Sequence, residues 1–507
     1  MSRINTNVSS LIAQRVVRSQ NHSLSTSLER LSTGLRINRG KDDPAGLIAS
    51  ENLRSEMSSI NAALVNADRA DQVMNVAEGG LQEISSLLTE LQGQITTVAN
   101  TAGLSAEEKD AAQLQVDSIL QTIDRISRST SFEGMKLLNG NFDYTVSSVA
   151  TTVADYSVNG AKLNTNGTLS VEVIVTQSAQ RGQLFLSTGG ALDLGTGSTF
   201  TIEIAGELGA RELSFASGTT NAQMVTAINS FKDVTGVSAA AVSSGSQNGI
   251  NLSSAEYGDD AFVSVKIVDD GSVSTTGAGV YHYTTGDADV LSTSGTLFTA
   301  ATNTIRDAGQ DVGASINGVT ATTDGATARI NTDFLNVEIK LSTSTAGAGA
   351  LDVGSISAFT ITGGGADFQL SPNVDIAGKV SLGIGNVASR TLGSVAHGYL
   401  DDLGSGKTYN LKDGDLTTAQ KIVNDAIKQV STTRGRLGAF QKNVVGATVR
   451  SLGVALENTT AAESSIRDTD FASETASLTR SQILVNASMN VLGIANAQPQ
   501  NVLSLLG

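Results

Sequence analysis

Three kinds of residue in this chain could do chemistry, and their spacing decides whether they do. The pairs Asp259-Asp260 and Asp269-Asp270 carry hard oxygen donors, of which a calcium ion takes roughly six to eight. No loop of alternating acidic positions closed by a glutamate surrounds either pair, so both read as solvated loop charge. His282, flanked by Tyr281 and Tyr283, could mark a binding patch. Its surroundings alternate as on a half-buried strand, and His22 and His397 lie far from it in sequence. The run GGGAD at 363–367 lacks both the Lys-Ser/Thr of a phosphate loop and the strand–helix context of a dinucleotide fold, so it reads as a turn. Zero Cys excludes disulfides, thiolate zinc sites, iron–sulfur clusters and a Cys nucleophile. Acid–base catalysis needs titratable groups that converge in a cleft, and nothing in the carboxylate spacing pairs an acid with a base. The expectation is a protein that is not an enzyme and takes no cofactor or metal. Any hidden site would have to lie within residues 151–400.

The charge balance narrows the partners. Lys+Arg 33 against Asp+Glu 49 leaves −16 over 507 residues, of which −12 falls within 151–400 and −4 in the remainder. A nucleic-acid groove depends on clustered positive charge and is excluded. No stretch approaches the roughly 18 apolar residues of a membrane span, so no membrane insertion is expected. The start, MSRINTNVSS, lacks the basic-then-apolar layout of a cleaved secretion signal. Taken bare, that points to the cytoplasm unless a dedicated exporter reads another signal.

The elements that must position these residues fall into two materials. From Leu53 the apolar or small positions run Met57, Ile60, Leu64, Ala67, Ala70, Met74, Ala77, Leu81, Ile84, Leu88, Leu91, Ile95 and Val98. Steps of four and three alternate except at Ala67–Ala70–Met74, giving a seam that turns one helix face towards partners. At about 1.5 Å per residue this helix is on the order of 70 Å long, too long for a compact globule. Ala102-Gly103 breaks it, and Ser105 with Glu108 forms a capping-box pattern for a return helix carrying Val116, Ile119, Leu120, Ile123 and Ile126. A third stripe runs Val423, Ile427, Val430, Leu437, Phe440, Val444 and Ala447. Both extreme ends are amphipathic: Ile4, Val8, Leu11, Leu24, Leu28, Leu31 and Leu35 at one, Phe471, Leu478, Val485, Met489 and Leu492 at the other, until Pro499 stops the helix. Between helices, Lys41 to Gly46 reads as a hinge, with Pro44 disfavouring helix at Asp43 and the Asp side chains available as caps. The middle reads as β: Phe200, Ile202 and Ile204 alternate with polar residues, as do Val263, Val265 and Ile267. Thr220 opens a short helix with Met224, Val225, Ile228 and Phe231, and VEIKLS at 337–342 echoes VSVKIV at 263–268.

Long motifs at both ends now carry a resemblance. ERLSTGLRINRGKDDPAG at 29–46, AEGGLQEI at 77–84 through TIDRISRSTSFEGMKLL at 122–138, and the ending DTDFASETASLTRSQILVNASMNVLGIANAQPQNVLSLLG at 468–507 are similar to the signatures of bacterial flagellins. Residues 198–268 resemble the small β insertion module of some flagellins. The resemblance implies an α+β multidomain fold. Residues 1–43 and 463–507 would form an inner terminal coiled coil. Residues 44–175 and 400–462 would form a helical-bundle core with a β-hairpin, and 176–399 a β-rich inserted outer region. It implies a self-assembling filament subunit for swimming, located outside the cell and exported without a cleaved signal peptide. Its partners would be copies of itself, the export apparatus, an export chaperone, and the filament cap and hook-junction proteins. The terminal apolar residues named above would carry self-assembly, and the seam Leu53, Met57, Ile60, Leu64, Leu81, Ile84, Leu88, Leu91 and Ile95 would hold the core helices. One departure stands out: where strongly receptor-activating flagellins carry an exposed Arg and, one turn on, a Leu, this chain has Glu90 and Gln94. That implies weak recognition by the Toll-like flagellin receptor. Two alternatives remain at this point, a hook–filament junction protein and a filament-borne surface adhesin acting through the central domain.

Overall fold

A computed structural model describes residues 6–100, 103–163, 167–244, 247–284, 287–292, 294–342 and 353–503, with backbone alone at 244, 247, 284, 287–290 and 499–503. Ile4, Ala102 and the last four residues of the chain lie outside the described residues. Among the described residues the α-helices of eight residues or more are α1 (Val8–Thr33), α2 (Pro44–Val98), α3 (Ala106–Ser129), a short α4 (Asn221–Asn229), α5 (Leu416–Ala439), α6 (Gly446–Arg467) and α7 (Phe471–Leu503). Long helices thus come from both ends of the chain, and the strands lie between them. No described helix is long and apolar enough to cross a membrane. The chain divides into two compact units, one of Met1–Met74, Phe368–Lys379 and Gly438–Gly507, the other of Asn75–Asp367 and Val380–Leu437.

In the first unit α1 lies antiparallel along α7, with Asn7 beside Ala495 at one end and Arg30 beside Glu474 at the other. Ile60 and Ala63 of α2 bury themselves against Leu452 of α6, with Leu64, Ala455 and Leu456 packed around them. The Phe440 ring packs tilted against Phe368 of the short segment between the two helical stretches, with centroids 5.8 Å apart. Two expectations are corrected here. Residues Phe440–Val445 form a π-helical turn rather than continuing the α-helix. A π-turn adds one residue per turn and rotates the faces that follow it. Val445 is therefore buried, Val444 only half-buried and Ala447 exposed, so the stripe does not continue through Val444 and Ala447. The second correction is at Pro499, where α7 does not stop but runs on to Leu503. Proline's fixed φ is compatible with helix, so it removes one N–H and crowds the preceding turn without ending the element.

The second unit combines a helical stack with two β-sandwiches. Leu81, Ile84, Leu88, Leu91 and Ile95 of α2 are buried, as are Val116, Ile119, Leu120 and Ile123 of α3 and Val423 and Val430 of α5. The Ser105–Glu108 capping box starts α3, and Gln92 to Asn424 (3.0 Å) and Arg434 to Glu78 (2.8 Å) tie α2 to α5. The first sandwich sets Leu169–Gln177, flanked by Gly313–Ile316 and Gly354–Gly364, over Leu335–Leu341, flanked by Thr327–Asn331 and Val153–Ala161. Its core holds Val171, Val173, Val175, Ile316, Val337, Ile339 and Phe359. Leu169–Gln177 runs across the 175/176 boundary drawn from the sequence, because its centre pairs with strands from beyond residue 310. The second sandwich occupies the interval between. Phe262–Asp269 and Thr199–Gly206 lie in a four-stranded sheet, packed on a six-stranded sheet that contains Gln183–Ser187 and Gln247–Ser254. The capped α4 contributes Met224 and Ile228 to that core. VSVKIV and VEIKLS fall on interior strands of the four-stranded sheets of the two sandwiches.

Candidate assembly interface

The terminal helices begin and end where local chemistry tells them to. Asn7 Oδ1 accepts from Ser10 N (3.0 Å), capping α1, and Gly34 at φ 73° closes it by donating to the Arg30 carbonyl at 2.8 Å. The left-handed backbone at the cap favours glycine. Beyond it the chain pairs with the start of the other terminal segment: Arg36 N donates to the Arg467 carbonyl (2.7 Å), Thr469 N donates to the Gly34 carbonyl (2.9 Å), and Leu35 bridges Asp468. Both terminal helices therefore leave from one stapled corner. The Lys41–Gly46 segment is an ordered cap: Asp43 Oδ1 accepts from Gly46 N (2.9 Å) at the head of α2, and Asp42 Oδ2 accepts from Arg39 N at 2.9 Å.

What α1 and α7 bury against each other is small. Ser10, Ala13 and Ser27 are the buried residues of α1; Ser481, Val485 and Ala495 are those of α7 up to residue 498. Small residues let two helices approach closely, and the large apolar side chains are displaced to the outside. Val8 (52% exposed), Leu11 (58%) and Leu28 (50%) face solvent in the single chain, as do Phe471 (56%) and Met489 (52%). Leu24, Leu31, Leu35, Leu478 and Leu492 are half-buried, and Val485 is buried. Single-stripe reasoning missed Ile12, Val16, Ile483, Leu484, Val491 and Ile494, all exposed. The missed signal was the run Ile483-Leu484-Val485: apolar residues in succession mark a helix that needs partners on more than one face.

Along the α2 seam, Leu53, Met57 and Leu64 are half-buried, while Ile60, Leu81, Ile84, Leu88, Leu91 and Ile95 are buried. Glu90 is exposed and Gln94 half-buried.

The candidate chemistry is taken up by local structure. Asp269 Oδ1 accepts from Gly271 N (3.0 Å) and Asp270 Oδ1 from Ser272 N (3.1 Å), so this pair shapes a turn. No group of three or more acidic, His or Cys side chains that could hold a metal occurs among the described residues. His282 sits on Gly279–Thr284, with its Nδ1 3.5 Å from Asp307. In the GGGAD run, Gly364 and Gly365 have φ of 88° and 81°, and a Cβ on Gly365 would strike the Tyr144 ring. One cluster had no sequence signal: Ser394 Oγ donates to Asp425 Oδ2 (2.6 Å), which also lies 2.8 Å from His397 Nδ1. Ser394 approaches the same ring nitrogen as the carboxylate, at 3.4 Å. A nucleophile relay needs the serine on the opposite nitrogen, so this cluster clasps the Gly393–Ser394 hairpin to α5 instead.

Comparison with known proteins agrees with the motifs at both ends. Residues 4–143 match the family described as bacterial flagellin N-terminal helical region, 420–506 the bacterial flagellin C-terminal helical region, and 199–256 the flagellin hook IN motif. The B-type flagellin of Pseudomonas aeruginosa is 30% identical, with 99% of each chain covered. Flagellin A of Helicobacter pylori is 26% identical over 99% of each chain. The flagellin of Salmonella typhimurium is 28% identical, again over 99% of each chain.

Proposed function

The chain belongs to the bacterial flagellin family, the structural subunits of the flagellar filament that drives motility, and from that premise we propose how its residues build the polymer. The observation that carries the proposal is the apolar surface that α1 and α7 leave exposed after packing on each other, centred on Val8, Leu11, Leu28, Phe471, Met489 and Ile494. Burying a large aliphatic side chain contributes on the order of 1.5–3 kcal/mol, and a single chain leaves this contribution unclaimed. Neighbouring copies in the filament cover these faces, so the terminal pair becomes the inner coiled coil of the polymer. A head-to-tail contact that does not close generates an open helix of subunits, which is a filament. The α2 seam from Ile60 to Ile95 holds the core helices together, and residues 151–400 carry −12 of the −16 net charge. The subunit leaves the cell through the flagellar export route and works with the export chaperone, the cap and the hook-junction proteins.

The test is removal of residues 468–507. The truncated protein should remain soluble and folded by circular dichroism, yet form no filaments on salting, as seen by electron microscopy. Normal filaments from that truncation would overturn the role given to the terminal helices.

A further inference from the structure

Pro499 leaves a gap in α7 that the opposite end of the chain fills. In an uninterrupted helix the N–H of residue 499 would bond the carbonyl of Ala495, four residues earlier. Proline has no N–H, so that carbonyl loses its helical partner. Ala495 is buried, so water is a poor replacement, and a buried carbonyl without a donor costs free energy. Asn7 Nδ2 donates to this carbonyl at 2.7 Å, across 488 residues of sequence. The same amide's Oδ1 caps α1 through Ser10 N. One side chain therefore satisfies an orphan donor of α1 and an orphan acceptor of α7. The next turn of α1 repeats the link: buried Ser10 donates through Oγ to Asn496 Oδ1 at 2.6 Å, and Gln14 Nε2 reaches Ser10 Oγ at 3.4 Å.

Apolar contacts between helices are not directional and tolerate a slip of one turn, whereas a buried polar pair is satisfied in one register only. Arg30–Glu474 and the Leu35–Asp468 bridge hold the corner end, but the buried residues beyond them, Ser27, Ala13, Ser481 and Val485, offer little shape to fix the far end against sliding. We propose that Asn7 is a positioning residue for filament assembly: with Pro499 as its built-in vacancy and Ser10–Asn496 as its neighbour, it fixes the register in which the two terminal helices pair. The exposed Leu11, Met489 and Ile494 then meet neighbouring subunits in one arrangement. This inference rests on the terminal helices being the assembling elements.

The full-length protein and three variants are compared by critical concentration for salt-induced polymerisation. N7D keeps an oxygen to cap α1 but cannot donate to Ala495, and it places a negative charge on the carbonyl. It should raise the critical concentration about five- to tenfold, the loss of roughly one buried hydrogen bond per subunit. P499A restores the helical N–H, so the vacancy closes and Asn7 becomes dispensable. N7D/P499A should therefore return most of the way to the level of P499A alone. Thermal unfolding of the monomeric core should be the same in all four proteins. N7D assembling like wild type, or a double variant whose defect equals that of N7D, overturns the register role while leaving the terminal-helix reading intact. Polymerisation that survives removal of residues 468–507 overturns that reading instead.

Discussion

At the scale of single residues, caps and clasps hold helix ends and hairpins in place. Asp415 shows how such a residue couples stability to pH. It stands before α5, accepting from Thr418 Oγ1 (2.6 Å) and Thr417 N (2.9 Å). The Thr418 hydroxyl, followed by the backbone N–H groups, holds its carboxyl below the ordinary value of 3.8. The folded chain therefore binds fewer protons at this site than the unfolded chain does. Its stabilisation is fully present above the unfolded value and is lost as pH falls through the folded one. Replacement by Ala should destabilise by about 1 kcal/mol at neutral pH, the usual cost of a lost cap. D415N, which retains an acceptor but does not titrate, should show a flatter decline between about pH 5 and pH 2, the range that brackets such a carboxyl. Urea unfolding followed at pH 7 and at pH 3 measures both; an unchanged acid slope in D415N would refute the assignment. Arg436 is the opposite case, with burial pulling its guanidinium down to about 10 while it donates to the Asn159 and Gly383 carbonyls at 3.1 Å each.

At the scale of elements, two apolar stripes that look alike in sequence do different work. Leu88 is fully buried in α2, whereas Leu11 on α1 is 58% exposed. Leu88→Ala should therefore cost about 3–5 kcal/mol of monomer stability through lost transfer energy and a cavity. Leu11→Ala should leave the monomer melting curve unchanged and raise the critical concentration for polymerisation. Calorimetry of the monomer beside a sedimentation assay separates the two, and a large drop in Tm for Leu11→Ala would show that its face is covered within one chain. The distinction could not be read from spacing, because period 3.5 says that a face is apolar and not who covers it. The α2 seam was legible, since its thirteen steps leave one solution for the buried side. The π-turn at Phe440–Val445 was not, because a one-residue insertion leaves composition and propensity unchanged and shows only as a rotated face. Nor was the continuation of α7 past Pro499, whose freed carbonyl finds its donor almost a whole chain away. Long-range polar partners leave no local trace.

At the scale of the whole molecule, the nesting of one sandwich within the other was only half visible. Alternation at 200–204 and 263–267 marked strands, yet strand order is set by which edges meet, and that depends on pairings more than a hundred residues apart such as Val175 with Ala314. Composition marked where β material begins but not that residues 181–309 form a separate sandwich with its own core. The join gives a direct test. Gln180 and Gln310 face each other as an antiparallel bridge, with Gln180 N to the Gln310 carbonyl at 2.8 Å and the reverse bond at 2.9 Å. The two chain crossings are thus already side by side, the arrangement in which an inserted domain can be removed without stretching its host. Excising residues 181–309 and joining 180 to 310 through two glycines should leave the first sandwich folded, since Val173, Val337, Ile339 and Phe359 belong to its own cluster. The excised segment carries five basic and thirteen acidic side chains, so its loss should also raise the isoelectric point above 4.7. The shortened protein should still polymerise on salting, with β signal by circular dichroism reduced but not abolished. Failure to assemble with the monomer folded would mean that the second sandwich contributes to contacts between subunits. Loss of the monomer fold would mean that the two sandwiches are one cooperative unit, against their separate cores.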